Sequence, residues 1–333
     1  MKELAAPIRR DLEILEKKLC SFLETGDELQ DKISAHIFRS GGKRVRPALF
    51  LTCAKVLAWE NENRFAVAAA LEYIHTASLL HDDVIDSADK RRGKPTVNAT
   101  WDNTIAVLSG DRVHATASRL LICARSFELF DRVCEAVQKM SESEIFQLTI
   151  LWNETTSHSE YNRVVNGKTA VLFEVCSLAA AQILNLPEHV IKEFGSYGRN
   201  LGFAFQIIDD CLDFDGSEKT VGKPLLSDLL EGKITLPLIC ALKESKTKNG
   251  KNNLESLVSE ICKSKFASAE QLTQVQTLVH TTGGLAKARE AAKDYAFSAI
   301  KNMENALKEV TISNSEAANA LLRVPHLLLE RNS

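Results

Sequence analysis

The sequence has few of the residues that interrupt helices. Only seven prolines and fifteen glycines occur in 333 residues. No stretch shows the sustained alternation of apolar and polar residues, bounded by turn residues, that is typical of a β-strand. Apolar residues make up 45% of the chain, which is enough to fill a substantial core. We therefore predict an all-α fold.

Helical periodicity gives the expected boundaries to within a few residues. Helices are predicted over residues 3–24, 29–39, 47–58, 64–86, 101–127, 128–153, 158–184, 188–214, 225–244, 254–265, 269–281, 284–309 and 313–331. The chain has no internal repeat of fixed period, and its one candidate linker, the polar stretch SKTKNGKNN at 245–253, is short. We therefore expect a single domain over residues 1–333.

Net charge, paired cysteines and long apolar runs are also scarce. A formal charge of -3 gives no general attraction to nucleic acid or to anionic membranes. The eight cysteines form no CxxC pair, as is typical of free thiols in a reducing compartment. The N-terminus MKELAAPIRRDLEILEKKL resembles no signal peptide, and no uncharged apolar run reaches the roughly 18 residues that span a bilayer. We expect a cytoplasmic protein without a transmembrane segment or nucleic-acid partner, which an apolar product could bring transiently to a membrane.

Two predicted helices that are apolar on nearly every face each end in three aspartates. The two sets are Asp82, Asp83 and Asp86, and Asp209, Asp210 and Asp213. The shared spacing of i, i+1, i+4 places the carboxylates of each set close together on one helix. A solvated helix end would explain one set alone, but it explains less well two sets that each end a buried helix. Hard oxygen ligands of this kind suit Mg²⁺, which completes its coordination with water and phosphate.

Basic residues cluster in the same parts of the chain. GGKRVRP at 41–47 places Lys43, Arg44 and Arg46 before Pro47, a residue suited to the first turn of a helix, and this arrangement indicates an anion site. Further polar and cationic candidates are Arg91, Arg92, Lys168, Thr169, Lys223 and Lys233. Such a surplus of cations near six acids indicates more than one phosphate group.

Two other motifs are partly present in the sequence. NGKT ends like a P-loop, but Asn162 stands where that motif needs its first glycine. His81 and Asp82, with His75 upstream, could suggest a helical metal phosphohydrolase. That reading leaves the second set of aspartates unexplained, so both readings are set aside.

The segments GGKRVRP, LLHDDVIDSADKRRGKPTVN, GKTA, FQIIDDCLDF and GKPLLSDLLEGKITLP, in this order, resemble the trans-isoprenyl (polyprenyl) diphosphate synthase family, long-chain type. The resemblance covers residues 36–240. It implies an isoprenoid synthase-type helical bundle around a central cavity, and a homodimer. It also implies condensation of an allylic diphosphate with isopentenyl diphosphate, with about three Mg²⁺ ions per active site.

The resemblance assigns roles to matching positions. The metal ligands would be Asp82, Asp83, Asp86, Asp209, Asp210 and Asp213. The allylic substrate would be held by Arg91, Lys168, Thr169, Gln206, Lys223 and Lys233, and isopentenyl diphosphate by Lys43, Arg46, His75 and Arg92. Residues counted as catalytic are Asp82, Asp83, Asp86, Asp209, Asp210, Lys168 and Lys223.

Small residues before the first aspartates point to the length of the product. Ser78 and Ala77 lie four and five positions before the first acidic set, about 6 to 7 Å deeper along the helix. Ile74 lies one turn further on, so no aromatic side chain stops a growing chain early. This pattern resembles the synthases of quinone side chains, and we expect products of about C30 to C50. Alternatively, the small residues only let helices pack, and Phe127 or Phe130 forms the floor.

Four positions depart from the family's pattern. Arg112 and His114 stand where apolar or aromatic residues are usual, so a charge near the tunnel could redirect or shorten the product. Ser143 stands where glycine is common. Pro325 is expected to interrupt the last helix, which argues against a role for Arg331.

Other functions remain open. A terpene cyclase-like enzyme would share the first acidic set but would leave Lys43, Arg46 and Arg92 without a substrate. A non-catalytic subunit of a heteromeric synthase should have lost carboxylates, and this chain keeps all six. Within the family, the alternative is a shorter-chain synthase that makes geranylgeranyl or farnesyl diphosphate.

Overall fold

The computed structural model describes residues 2–39, 41–91, 93–215, 225–247 and 253–331, and these form helices almost throughout. Two of the predicted substrate residues, Arg92 and Lys223, lie outside the described residues. The helices are α1 (Lys2–Ala5), α2 (Arg9–Ser21), α3 (Glu28–Arg39), α4 (Val45–Val56), α5 (Arg64–Ile85), α6 (Val97–Thr100), α7 (Asn103–Leu121), α8 (Phe127–Thr149), α9 (His158–Val165), α10 (Val171–Ile183), α11 (Glu188–Asp215), α12 (Ser227–Leu230), α13 (Leu236–Thr247), α14 (Leu254–Ser264), α15 (Ala269–Thr282), α16 (Gly284–Lys308) and α17 (Ser315–Leu329). The prediction of an all-α fold is confirmed.

Short non-α segments join some of these helices. They are the 3₁₀ turns Ala6–Ile8 and Ile122–Ala124, the π-helical segment Asn166–Ala170, and an antiparallel hairpin of β1 (Lys90–Arg91) and β2 (Lys94–Pro95). The predicted helix 101–127 ends early, because the chain turns at Arg125, whose φ is 51°. The predicted helix 225–244 is two helices, because the chain reverses at Gly232, whose φ is 79°.

Pro325 does not interrupt the last helix. It lies inside α17, which continues to Leu329, so the expectation of a break was wrong. A proline removes the N–H that would bond to the carbonyl four residues earlier. That carbonyl belongs to Leu321, and it accepts a hydrogen bond from the Tyr197 hydroxyl at 2.7 Å instead. A side chain therefore supplies the donor that the proline lacks.

The chain divides into two compact units. Unit 1 consists of Met1–Val137, Leu172–Gly198 and Ile300–Val324, and unit 2 of Gln138–Val171, Arg199–Ala299 and Pro325–Ser333. Each unit is built from segments that are distant in sequence. The single domain expected from the sequence stays a prediction.

Helix α5 is the centre of unit 1. Its residues 65–74 are all buried, and many of them are alanines, which let α7 pack closely against it. Gly110 of α7 is needed there, because a Cβ at this position would lie 2.3 Å from Nε2 of His81. Close packing therefore fixes the end of α5, where the first aspartates lie.

Unit 2 places the second acidic set at the end of α11. Most residues from 201 to 214 are buried, including Asp210 and Asp213. Within the described residues, one helical stretch, His158–Ile183, is long and apolar enough to cross a membrane, but 83% of its most apolar window is buried inside the protein. Burial of that kind is typical of a core helix.

Candidate active site

The first three aspartates lie in different surroundings at the end of α5. Asp82 is half-buried, Asp86 is exposed at the helix C-cap, and Asp83 is buried. Arg91 donates to Oδ1 of Asp83 from Nε at 2.9 Å and from Nη2 at 2.7 Å. The β1–β2 hairpin carries this arginine back to the helix end. Thus Asp82 and Asp86 are the more exposed carboxylates of the set, while Asp83 ties the following loop to the helix.

The basic loop before α4 divides into exposed and buried cations. Lys43 is exposed, and the Arg46 guanidinium lies 5.0 Å from the centre of the Phe173 ring. Arg44 is only 9% exposed, and its guanidinium pairs with Glu72 at 2.9 Å and with Glu16 at 2.6 Å. The expectation that Arg44 joins an anion site was therefore wrong, because two carboxylates already occupy it.

A cavity in unit 1 brings together three of the predicted site residues. His75, Asp83 and Arg91 line it, beside the buried pair of Arg44 and Glu72. The other predicted isopentenyl residues in the described part of the chain, 43 and 46, are not among its lining residues. The cavity thus presents an imidazole and a guanidinium next to the acidic end of α5.

A second cavity, in unit 2, contains four of the six residues predicted to hold the allylic substrate. Lys168, Thr169, Gln206 and Lys233 line it, together with Asp210, a predicted metal ligand. These residues come from the π-helical segment, from α11 and from the turn after α12, so residues up to 65 positions apart in sequence (233 − 168) share one site. Sequence order alone could not show this grouping.

Hydrogen bonds connect the polar groups of the unit 2 cavity. The Thr169 hydroxyl donates to Oε1 of Gln206 at 2.8 Å, and Nε2 of Gln206 donates to Oδ1 of Asp210 at 2.8 Å. The other oxygen of Asp210 accepts from the Tyr161 hydroxyl at 2.5 Å. Burial, reinforced by the charge of Asp210, raises the pKa of Tyr161 well above its usual value, so this hydroxyl remains a donor. The network fixes the carboxylate that follows Asp209.

Lys168 is held by the last turns of α8. Its Nζ lies 2.6 Å from Oε1 of Glu144 and 3.3 Å from Oε1 of Gln147. The π-helical segment also sets its direction, because the wider turn shifts side chains relative to a regular helix. Ser143 supports this segment through its hydroxyl, which donates to the Val164 carbonyl at 2.9 Å. A residue where glycine is common in the family thus stabilises the helix that carries Lys168.

Carboxylates crowd the acidic end of the same cavity. Burial, and next the charge of Asp228, raise the pKa of Asp210 above its usual range. A cation bound there would relieve this repulsion and lower the pKa. The donor set therefore fits a hard cation such as Mg²⁺, which binds carboxylate oxygens.

Asp213 accepts hydrogen bonds from the first residues of α12. Its Oδ1 accepts from the Ser227 backbone N–H at 3.2 Å and hydroxyl at 3.0 Å, and its Oδ2 accepts from the Asp228 N–H at 3.2 Å. The side chain is buried and caps the start of α12. These bonds position the segment that carries Asp228 and Lys233. A metal role for Asp213 stays a prediction.

Metal ligands are not preassembled in the described residues. No group of three or more His, Cys, Asp or Glu side chains there is arranged to hold a metal ion by itself. Mg²⁺ commonly takes one or two carboxylates and fills its remaining positions with water and substrate phosphate. Paired aspartates at helix ends fit that mode of binding.

Several residues that line the unit 2 cavity or contact its lining were missed in the sequence. Tyr161, Glu144, Gln147 and Asp228 gave no spacing signal, because each acts through a contact between separate helices. Arg331 was discounted because of the proline, yet its Nη1 lies 3.1 Å from Oδ1 of Asp209.

The residues expected to control product length lie on α5. Ile74 and Ala77 are buried and Ser78 is half-buried, with its hydroxyl donating to the His75 carbonyl at 2.9 Å. Arg112, a suspected tunnel charge, instead donates to the Leu23 carbonyl at 3.1 Å and so anchors the loop after α2. The part played by the small residues stays a prediction.

Comparisons with known proteins agree with this geometry. The family model described as polyprenyl synthetase matches residues 27–279. The chain is 33% identical to an octaprenyl diphosphate synthase of Haemophilus influenzae over 332 residues, covering 100% of this chain and 96% of that protein. It is also 33% identical to a geranylgeranyl diphosphate synthase of Saccharolobus solfataricus, covering 94% of each.

A solved structure shares the fold over the whole chain. It is a polyprenyl synthase from Caulobacter crescentus complexed with calcium and isoprenyl diphosphate, with a TM-score of 0.91 and 28% identity, covering 100% of this chain and 98% of that one. The match of the family model, the identities and the shared fold lead to one conclusion: the chain belongs to the polyprenyl synthetase family.

Proposed function

We propose that the chain is a Mg²⁺-dependent trans-polyprenyl diphosphate synthase. It condenses an allylic diphosphate with isopentenyl diphosphate, repeatedly, to give a long all-trans polyprenyl diphosphate. The observation that carries this proposal is the unit 2 cavity, where Lys168 and Lys233 lie beside the acidic residues Asp210 and Asp228. Two cations beside carboxylates fit a diphosphate bound together with divalent metal.

Four polar residues of that cavity have a role in binding the substrate in the proposed reaction. Lys168 and Lys233 bind the allylic diphosphate, and Thr169 and Gln206 orient it through their hydrogen bond. Fixed positive groups stabilise a leaving diphosphate more in the transition state than in the ground state, because its charge grows as the C–O bond breaks. Lys223 is included on resemblance alone.

In unit 1 the candidates for metal ligands are Asp82 and Asp86, with Asp83 as their neighbour; in unit 2 the candidate is Asp209, with Asp210 as its neighbour. Mg²⁺ there supplies charge neutralisation to the diphosphate. The related Caulobacter structure, solved with calcium and isoprenyl diphosphate, supports the pairing of a divalent cation with this ligand class. About three ions per site are proposed for the substrate-bound enzyme.

Isopentenyl diphosphate binds beside the α5 end in this proposal. His75 lines the unit 1 cavity, and Lys43 and Arg46 belong to the loop before α4. After ionisation of the allylic substrate, the isopentenyl double bond attacks the allylic cation and forms the new C–C bond. The proton lost from the product passes to the departing diphosphate. The protein must exclude water, which would otherwise capture the cation.

We propose that the enzyme is a homodimer. The exposed positions of α7 recur at helical spacing and include Leu108, which is 59% exposed. Two more apolar side chains are exposed just beyond this helix: Ile122 in the 3₁₀ turn, at 67%, and Phe127 at the start of α8, at 79%. A second copy of the chain would cover these apolar side chains. Analytical ultracentrifugation should give a dimer, and Leu108→Glu should give monomer; a monomeric wild-type chain would contradict the proposal.

Chain length is the finer part of the proposal. Small residues at Ala77 and Ser78, with Ile74 one turn further on, favour products of about C30 to C50. The resemblance to synthases of quinone side chains suggests a quinone as the end use. The alternative to a long product is a shorter one, which the similarity to a geranylgeranyl synthase keeps open. Separately, eight free thiols are compatible with a cytoplasmic location. Ala77→Phe should shorten the product, and an unchanged distribution would contradict this placement of the tunnel.

A matched pair of lysine variants tests the catalytic site. Lys168→Met should lower kcat/KM for the allylic diphosphate by roughly 100-fold or more, because one preorganised cation is lost. Lys263→Met removes an exposed lysine from the end of α14 and should leave kcat/KM within about twofold. Equal effects of the two substitutions would contradict the role given to Lys168.

A further inference from the structure

Trp152 adopts an unusual backbone conformation in the turn that follows α8. Its φ is 60°, in the left-handed region, where a bulky residue is rarely found. Such a conformation is strained for a bulky side chain and persists only where surrounding contacts impose it. The Trp152 backbone N–H donates to the Gly232 carbonyl at 2.8 Å. One of the contacts that impose this conformation is therefore made with a residue 80 positions away (232 − 152).

The indole of Trp152 lies directly against the same glycine. A Cβ built at Gly232 would lie 2.5 Å from Cε2 of the indole and 2.6 Å from its Cδ2 and Nε1. No side chain fits in that space without moving the ring. Gly232 is itself left-handed, with φ 79°, so both its backbone angle and its contact require glycine. Trp152 and Gly232 are thus joined by a backbone hydrogen bond and by the packing of the indole on the glycine, and we call this pair of contacts the Trp152–Gly232 lock.

This lock lies next to Lys233 in the chain. The Gly232 N–H donates to the Leu229 carbonyl at 3.0 Å, and the Lys233 N–H donates to the Asp228 carbonyl at 2.8 Å, which closes the turn after α12. Lys233 follows at once and lines the unit 2 cavity. A shift of the turn would therefore move the ammonium of Lys233 relative to the cavity.

The end of α8 supports both cavity lysines. Its residues Glu144 and Gln147 hold Lys168 at 2.6 and 3.3 Å. Trp152, three residues beyond the last residue of this helix, holds the turn of Lys233. A common support fixes the spacing of two cations that would share one diphosphate. Such preorganisation matters because a diphosphate has a fixed distance between its phosphate groups.

We propose that Trp152 is a positioning residue that, through Gly232, sets Lys233 for binding of the diphosphate. The proposal rests on the diphosphate site of the proposed function and adds to it a residue outside the family motifs quoted above. Trp152 touches no substrate in this scheme. Its effect is expected on diphosphate affinity and on the KM of the allylic substrate, with the KM of isopentenyl diphosphate changed less than twofold.

Isothermal titration with Mg²⁺ and inorganic diphosphate tests the lock without requiring catalysis. Trp152→Gly permits the left-handed backbone but removes the ring, and should weaken diphosphate binding about tenfold. Trp152→Phe keeps a ring against the glycine and should stay within about threefold of wild type. Trp152→Leu is the alternative if the glycine variant does not fold, and should also weaken binding. Unchanged affinity in the glycine or leucine variant overturns the proposal.

A double-mutant cycle with Lys233→Met separates positioning from general loss of structure. If Trp152 acts through Lys233, Trp152→Gly should weaken diphosphate binding by less than about twofold once Lys233 is methionine. A full tenfold loss in that background overturns the proposal. If the cycle shows this coupling but the wild-type chain fails to condense the two substrates, the proposed function is refuted and the role of Trp152 in diphosphate binding stands. A wild-type chain that does not bind diphosphate overturns both.

Discussion

Arg44 belongs to a basic motif, but the structure gives it a role in stability. Its side chain pairs with Glu72, which is only 7% exposed, and with Glu16, which is about half exposed. Arg44→Met keeps an apolar stem and removes the guanidinium, which leaves the buried Glu72 without its Arg44 partner. Removal of one member of a buried ion pair typically costs about 3 to 5 kcal/mol. We expect a loss of that size in the free energy of unfolding.

The expected shift in melting temperature follows from the size of the chain. An unfolding entropy of about 2.1 cal/mol/K per residue gives about 0.7 kcal/mol/K for 333 residues. A loss of about 3 to 5 kcal/mol then lowers Tm by roughly 4 to 7 °C. The shift is large enough to measure by calorimetry or by circular dichroism at 222 nm, a wavelength that reports helix content.

The neighbouring lysine provides the matched control. Lys43 is exposed, so Lys43→Met should change Tm by less than about 1 °C. In the enzymatic assay the pattern should reverse, with Lys43→Met raising the KM for isopentenyl diphosphate. A melting temperature for Arg44→Met within about 1 °C of wild type would refute the structural role of Arg44 and return it to the anion site.

Two further predictions concern packing and buried thiols. Gly110→Ala places a Cβ 2.3 Å from Nε2 of His81 and should lower the unfolding free energy by about 1 to 3 kcal/mol, measured by urea denaturation; wild-type stability would contradict the close contact. At pH 8 a thiol reagent should modify the exposed Cys134 in the native protein but not the buried Cys53. Burial raises the pKa of Cys53 to about 12, so its thiol stays protonated. Rapid labelling of Cys53 would contradict its burial. Because the folded pKa of Cys53 lies above its usual 9.0, its contribution to stability is full below pH 9 and is lost as pH rises toward 12, so the midpoint in urea should fall over that range.

Local patterns gave most of the fold. The apolar run of α5 and the aspartates at its end predicted a central helix with an acidic end, and α5 ends at Ile85 where residue 86 was expected. The hairpin Lys90–Arg91 with Lys94–Pro95 was missed, because two-residue strands are too short to show alternation. The break at Arg125 was missed for a similar reason: a single left-handed arginine carries no turn signature of the kind that glycine gives.

Only those site residues that belong to short sequence motifs could be predicted from the sequence. Lys168, Thr169 and Lys233 were found through short segments, and all three line one cavity. Trp152 and Tyr161 were not, because their contacts join separate helices and leave no pattern in sequence. Arg44 was misjudged for the same reason: a carboxylate 28 positions away (72 − 44) decides its role.

The most direct test of the central claim is product sizing after condensation. Purified chain is incubated with Mg²⁺, farnesyl diphosphate and labelled isopentenyl diphosphate, and the products are separated by length. The account predicts release of diphosphate and label incorporated into all-trans products of about C30 to C50. Products that stop at geranylgeranyl length would contradict the open tunnel, and a cyclic hydrocarbon, or no product without a partner protein, would contradict the proposed reaction itself.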